Sequence, residues 1–190
     1  MSEKKYVIDT SLFVNPHARK FFGKNPTSAV KGLIKKLKSM KKNDISLYIP
    51  PSIFNELKNF VQGKTMGELE LLVTKRAPNV YGIYLPAAVL YDFIEDVRIR
   101  INKGLRLAED FAKEDKLKMD QKLGKLREKY RDAMRTGIID SKEDFELLLL
   151  AKELEATVVS SDEGVIKFAN KIGCAWLTGD KFGAMIKKMK

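Results

Sequence analysis

The chain has one histidine, His17, and one cysteine, Cys174, in 190 residues. A single cysteine excludes an internal disulfide and any zinc site built on cysteines. A single histidine excludes paired-histidine acid–base chemistry and histidine-rich metal sites. Hydrolytic chemistry in this chain has to be carried by carboxylates. Long apolar runs are missing as well: none approaches the roughly 20 residues that span a bilayer, so no membrane partner is expected. The opening MSEKKYVIDT turns strand-like at once and lacks the apolar core and small-residue cleavage site of a signal peptide. A cytoplasmic location is the expectation that follows.

Positive charge is what the chain has in excess. The formal net charge is +11, and residues 1–64 alone hold 13 Lys and Arg against 4 Asp and Glu. Residues 65–86 balance, residues 87–136 contribute +3, and residues 137–190 contribute −1. An excess of this size suits a polyanionic partner, although lysines also simply keep a protein soluble. The acids of this basic chain recur at strand ends, which points to a polyanion held around a metal.

Short apolar runs followed by polar turns indicate buried parallel strands. Tyr6-Val7-Ile8 is the first, Ile45–Ile49 the second, Tyr81–Leu85 a third candidate, Ala156–Ser160 the fourth and Ala175-Trp176-Leu177 the last. Between them, residues 28–42 place Val30, Leu33, Ile34 and Leu37 at helical spacing. Pro50-Pro51 stops the second strand, and Ser52 is positioned to cap a helix with Ile53, Phe54, Glu56 and Leu57. Residues 66–76 look helical, Asp144–Glu155 is a leucine-dense helix, and Val165–Asn170 is a short one. Strands alternating with helices imply an α/β fold, a parallel sheet with helices on both faces.

Residues 87–136 break this pattern. Leu90, Ile94, Val97, Ile101, Leu105, Ala108 and Ala112 recur at three- and four-residue steps, as do Met119, Leu123, Leu126, Tyr130 and Met134. That spacing gives two long amphipathic helices with 113–118 as the turn; one continuous helix is the less economical option. The narrow apolar seam needs a partner, either the other arm or another subunit. The expected organisation is a discontinuous α/β domain, 1–86 with 137–190, carrying an inserted helical hairpin at 87–136.

In open parallel sheets ligands bind beyond the carboxyl ends of the strands. Asp9 follows the first strand and Asp162 the fourth, while Asp140 and Asp144 are four apart at a helix start and share a face. Four converging carboxylates repel one another, and a divalent cation removes the conflict. All-oxygen ligands favour Mg²⁺ or Mn²⁺, and such a site suits phosphodiester hydrolysis by one ion or two. Each residue also has a plain structural role open to it. Asp9 can order a turn with Thr10 and Ser11, Asp140 with Glu143 resembles a helix cap, Asp144 suits a helix N-terminus, and Asp162 can cap the helix near Gly164. Glu56 is a further candidate for the cluster, or a solvated first-turn glutamate.

These residues together resemble a PIN-domain nuclease: Asp9 in YVIDTS, Glu56 in PPSIFNEL, Asp140 and Asp144 in DSKEDFELLLLAKEL, and Asp162 in VVSSDEG. With LPAAVLYDFIEDVRIRINKGLRLAED and the basic helix after it, the resemblance narrows to minimal protein-only ribonuclease P and covers nearly the whole chain. It implies a PIN-like fold and removal of the 5′ leader from precursor tRNA with Mg²⁺ or Mn²⁺, leaving a 5′-phosphate. It implies a hairpin that supports homo-oligomer assembly and measures the tRNA, and no organic cofactor. Asp9, Asp140, Asp144 and Asp162 fall on the family's catalytic and metal-binding aspartates, and Glu56 on a further acidic position of the PIN pattern. Arg127, Arg131 and Arg135 repeat every fourth residue along the hairpin and form one stripe, expected to meet tRNA phosphates. Salt bridges to Glu128, Asp132 or the facing helix are the alternative use of that stripe.

Two other functions compete. A PIN toxin cleaves mature RNA within the chain, but its compact domain leaves fifty inserted residues unexplained. A non-catalytic RNA-binding module is the second, against which stands the intact acidic set.

Overall fold

The computed structural model describes residues 3–40, 45–114, 118–135 and 141–189. They form two compact units, residues 1–84 with 141–190, and residues 85–140.

The first unit is built on a parallel sheet of Thr74–Lys75 (β3), Ile45–Ile49 (β2), Lys4–Ile8 (β1), Thr157–Val159 (β4) and Trp176–Leu177 (β5), side by side in that order. Its middle strand β1 (Lys4–Ile8) pairs with β2 (Ile45–Ile49) and with β4 (Thr157–Val159), placing Tyr6 opposite Leu47 and Thr157. Helices cover both faces, so Val7, Ile8, Val158 and Val159 are wholly buried, which is why these strands are unbroken apolar runs. β5 (Trp176–Leu177) closes one edge beside β4. The opposite edge is β3 (Thr74–Lys75), paired with β2. The third strand is therefore not Tyr81–Leu85. That segment has no strand partner, and Tyr81 and Tyr84 stand out in solvent, so its aromatic, β-like composition has no sheet to serve. The sheet instead takes the last residues of the 66–76 stretch, whose helical part is only α5 (Gly63–Glu70).

After β1 come two short helices, α1 (Ser11–Val14) and α2 (Pro16–Arg19), then α3 (Pro26–Ser39). α3 starts two residues before the expected 28, because Asn25 and Ser28 exchange a capping box across Pro26. Gly32 is required there: a Cβ on it would lie 2.1 Å from the Phe22 carbonyl oxygen. Helix α4 (Pro51–Leu57) begins at Pro51, so Ser52 lies within it and is not its cap. The Ser52 hydroxyl instead donates to Glu146 Oε2 at 2.6 Å. Helix α8 (Lys142–Leu154) is capped by Ser141, whose side chain accepts from the Asp144 amide; Asp140, one member of the expected Asp140–Glu143 cap, is outside the described residues. Leu147 to Leu150 and Ala151 are buried, since α8 lies between the sheet and its neighbour α9 (Glu163–Lys171). Helix α10 (Gly179–Lys188) packs on α2.

The second unit is a hairpin of α6 (Ala87–Ala112) and α7 (Met119–Arg135). Gly104 allows the close approach: a Cβ there would fall 2.7 Å from the Tyr130 ring and 3.2 Å from Met134 Cε. Phe111 is buried and carries the Lys129 ammonium over its ring at 5.4 Å. Leu90, Ile94, Ile101 and Leu105, the seam read from spacing, remain exposed. No helix among the described residues is long and apolar enough to cross a membrane.

Candidate active site

All strands of the sheet run the same way, so their carboxyl ends share one edge, and an open cleft of about 760 Å³ lies there. Asp9, Thr10 and Ser11 supply its floor from the end of β1; Ser52, Asn55, Glu56 and Asn59 supply a wall from α4 and the turn after it. Ser141, Glu143 and Asp144 enter from the start of α8, and Asp162 from the start of α9. Of the acids expected from sequence, Asp9, Glu56, Asp144 and Asp162 are thus brought to one cleft. Asp140 lies outside the described residues.

Asp9 is the most constrained of them. Only 4% of its surface is exposed, and hydroxyls surround it. Ser160 donates to Oδ2 at 2.7 Å, Ser11 donates to the same oxygen at 2.5 Å, and the Thr10 hydroxyl lies 3.3 Å from Oδ1. These donors act on a carboxylate that burial would otherwise penalise. Two of them also lock neighbouring backbone: Ser160 Oγ accepts the amide of Asp162, and Ser11 Oγ accepts the amide of Ser161. The ends of β1 and β4 are therefore tied through side chains as well as by the Asp9 amide bond to the Val159 carbonyl at 3.0 Å.

Asp162 does two things at once. Its Oδ1 caps α9, accepting from the amides of Gly164 at 2.7 Å and Val165 at 3.1 Å. Both of those bonds fall on one oxygen, and the carboxylate still lines the cleft. Glu56 sits in the second turn of α4, not the first, and its Oε2 lies 3.1 Å from the Thr10 hydroxyl. Asp144 stands in the first turn of α8, at the positive end of the helix dipole.

The donor set suits a hard divalent cation. Five carboxylates, Asp9, Glu56, Glu143, Asp144 and Asp162, line the cleft together with hydroxyls and amides, and no Lys or Arg is among the described lining residues of a chain with net charge +11. Carboxylates gathered without a cation repel, and Mg²⁺ or Mn²⁺ takes oxygen ligands of these kinds. Among the described residues no three His, Cys, Asp or Glu side chains already converge as a cage.

On the hairpin, Arg127 and Arg131 are exposed on α7, with Arg131 Nε 3.4 Å from the Arg127 carbonyl oxygen. Neither of these two forms an ion pair with an acid among the described residues. The side chain of Arg135 lies outside the described residues.

The PINc domain ribonuclease family matches the chain over residues 5–190. The RNA-free ribonuclease P of Pyrococcus abyssi is 44% identical over 189 residues, 97% of this chain and 92% of that protein. This chain belongs to the RNA-free ribonuclease P family of PIN-domain proteins. The protein of that name from Thermococcus onnurineus is 44% identical over 187 residues, 96% of this chain and 94% of the relative. A bacterial one, from Thermodesulfovibrio yellowstonii, is 42% identical over 182 residues, 95% and 92% of the two chains.

Several residues at the cleft of this family member have little signal in the sequence. Glu143 has the sequence signal of a capping residue, and its place in the same first turn as Asp144 brings it to the cleft as well. Ser160 is not a lining residue but stands buried behind two of them, and its place two residues before Asp162 is its signal in the sequence. Asn55 and Asn59, four apart on one side of α4 and its continuation, carry no signal that separates them from ordinary surface amides.

Proposed function

We propose that this chain is an RNA-free ribonuclease P: a metal-dependent endonuclease that removes the 5′ leader of precursor tRNA and leaves a 5′-phosphate on the mature end. The observation that carries the reading is the carboxylate cleft at the carboxyl edge of the sheet, in a strongly basic chain. Relatives named RNA-free ribonuclease P over nearly the whole length support it.

In this reading Asp9, Asp140, Asp144 and Asp162 hold Mg²⁺ or Mn²⁺, with Glu56 as a further carboxylate at the same cleft. The bound ion supplies Lewis-acid activation of water and neutralises charge on the phosphate. The protein's own work is orientation. Ser11 and Ser160 fix the Asp9 carboxylate, and Asp162 is held by its cap bonds. Second-layer bonds of this kind set ligand direction and basicity.

Residues 1–86 and 137–190 form the nuclease domain of this account, and the hairpin at 87–136 engages the tRNA body. Arg127, Arg131 and Arg135 meet its phosphates, an assignment supported by the exposure of the first two. The exposed Leu90, Ile94, Ile101 and Leu105 support assembly with further copies of the chain through the hairpin. A cytoplasmic location completes the reading and fits a substrate made there.

The test is cleavage of precursor tRNA labelled at its 5′ end, with Mg²⁺ or with EDTA. Release of the intact leader, dependent on the metal, is expected. A cut inside the mature sequence would assign the chain to the toxin-like PIN nucleases, and tight binding without turnover would leave an RNA-binding module.

A further inference from the structure

A second cavity, of about 430 Å³, lies beside the cleft and has the opposite charge. It is lined by Pro16, Arg19, Lys20, Phe21, Phe22 and Lys24. No acidic side chain is among its described lining residues, and Arg19, Lys20 and Lys24 form no ion pair among the described residues.

The cavity is built, not a chance gathering of lysines. Arg19 Nη1 donates to the Val14 carbonyl at 2.7 Å, which fixes the guanidinium at the C-terminal end of α1. Phe21 is seated on α10, where a Cβ on Gly183 would come within 2.7 Å of its own Cβ. Phe22 rests against Phe182 with centroids 6.5 Å apart, and Lys20 Nζ lies 5.4 Å from the Phe21 ring centre. Both phenylalanines are half-buried, so neither is closed off from solvent.

Its place relative to the cleft is fixed by covalent and packing links. Ser11 lines the cleft and Pro16, five residues on, lines the cavity; α1, which begins at Ser11, rises about 6 Å at 1.5 Å per residue, and Asn15 follows it. From the other side, Gly179 packs against the chain next to each site: a Cβ there would lie 2.6 Å from Ala18 Cβ, the neighbour of Arg19, and 2.9 Å from Ser161 Oγ. Ser161 directly precedes Asp162.

Cations with aromatic faces, and no acid, form the combination that holds single-stranded nucleic acid, phosphates on the charges and bases against the rings. Base-paired RNA offers its phosphates but not its base faces. We infer that this cavity binds the single-stranded 5′ leader of the precursor next to the scissile bond, with Arg19, Lys20 and Lys24 on its phosphates and the Phe21 and Phe22 rings beneath its bases. This rests on the leader-removing function proposed above. It assigns the part of the substrate that the hairpin does not hold, and it makes leader length a determinant of efficiency.

The experiment compares native protein, Lys20→Ala/Lys24→Ala, and Lys31→Ala/Lys35→Ala on precursors with a long leader and with a leader of one nucleotide. Lys31 and Lys35 are exposed on α3, so the third protein has the same net charge as the second. For the cavity variant, kcat/KM is expected to fall about tenfold on the long leader and to stay level on the short one. The slope of log affinity against log salt should be shallower by about 1.4 for two lost contacts to a single strand. The control should match native protein in its dependence on leader length. An equal loss on both substrates, which includes binding of the single-stranded 3′ tail instead, overturns the inference, and so does no loss at all. Titration of a fluorescent single-stranded oligoribonucleotide reads the cavity without cleavage. If native protein releases no leader, the proposed function fails on its own account, while loss of oligonucleotide binding only in the cavity variant would still locate the strand there.

Discussion

Ser160 and Asp9 are joined by a buried 2.7 Å hydrogen bond, and the same Ser160 oxygen accepts the amide proton of Asp162 at 3.0 Å. One fully buried hydroxyl therefore sets the direction of one candidate metal-binding carboxylate and the backbone of another. Replacing Ser160 with Ala leaves every ligand in place but unties both. The expected result is a rise of about 10–100-fold in the Mg²⁺ needed for half-maximal activity, with much of the rate restored at saturating metal. An unchanged metal requirement would show that Ser160 only packs.

Asp162 separates structure from chemistry. Asparagine caps a helix about as well as aspartate, whereas alanine does not, at a cost of about 1 kcal/mol. Asp162→Asn should keep the melting temperature within a degree or two of native yet lose activity by at least about the factor of 100 that second-layer partners can command. Asp162→Ala should lose both. If Asp162→Asn retained full activity, the cap would be this residue's whole purpose.

The arginine stripe of α7 makes a prediction about salt. Arg127→Ala/Arg131→Ala should weaken precursor binding and lower the salt slope by up to about 1.8 if both contacts are to duplex phosphates. Leader length should have no influence on this loss. Binding and slope that match native protein would remove the stripe from the substrate interface.

Tyr6 gives the fold an alkaline limit. Its hydroxyl lies 3.4 Å from Met185 Sδ, and burial pushes the phenol above its ordinary value. The unfolded phenol, near pKa 10, gives up its proton first as pH rises. Its contribution is therefore complete below about pH 10 and is lost as pH climbs through the raised folded value. Urea midpoints measured on either side of that pH should fall for native protein and fall less for Tyr6→Phe.

Much of this could be read in the sequence because local signals agreed with the fold. YVI, ISLYI and TVV lie in strands whose ends are marked by an abrupt change to polar residues or proline, and the cleft lies beyond those ends. What could not be read was decided by pairing and by distance. Thr74–Lys75 is a two-residue edge strand with both side chains exposed, so no hydrophobic pattern announces it. Tyr81–Leu85 has a strand's composition without a neighbour. Ser52 looked like a cap until Pro51 took the first helical position, as proline favours. Of the hydroxyls around Asp9, that of Ser160 is 151 residues away in sequence, and only the β1–β4 pairing brings it there.

The central claim is that the carboxylate cleft cuts the 5′ leader from precursor tRNA. The most direct measurement follows leader release and precursor affinity together, for native protein and Asp144→Asn, with Mg²⁺ present. Native protein should release the intact leader, and Asp144→Asn should bind the precursor with similar affinity and release none. Equal cleavage by both proteins would contradict the account and place the chemistry outside this cleft.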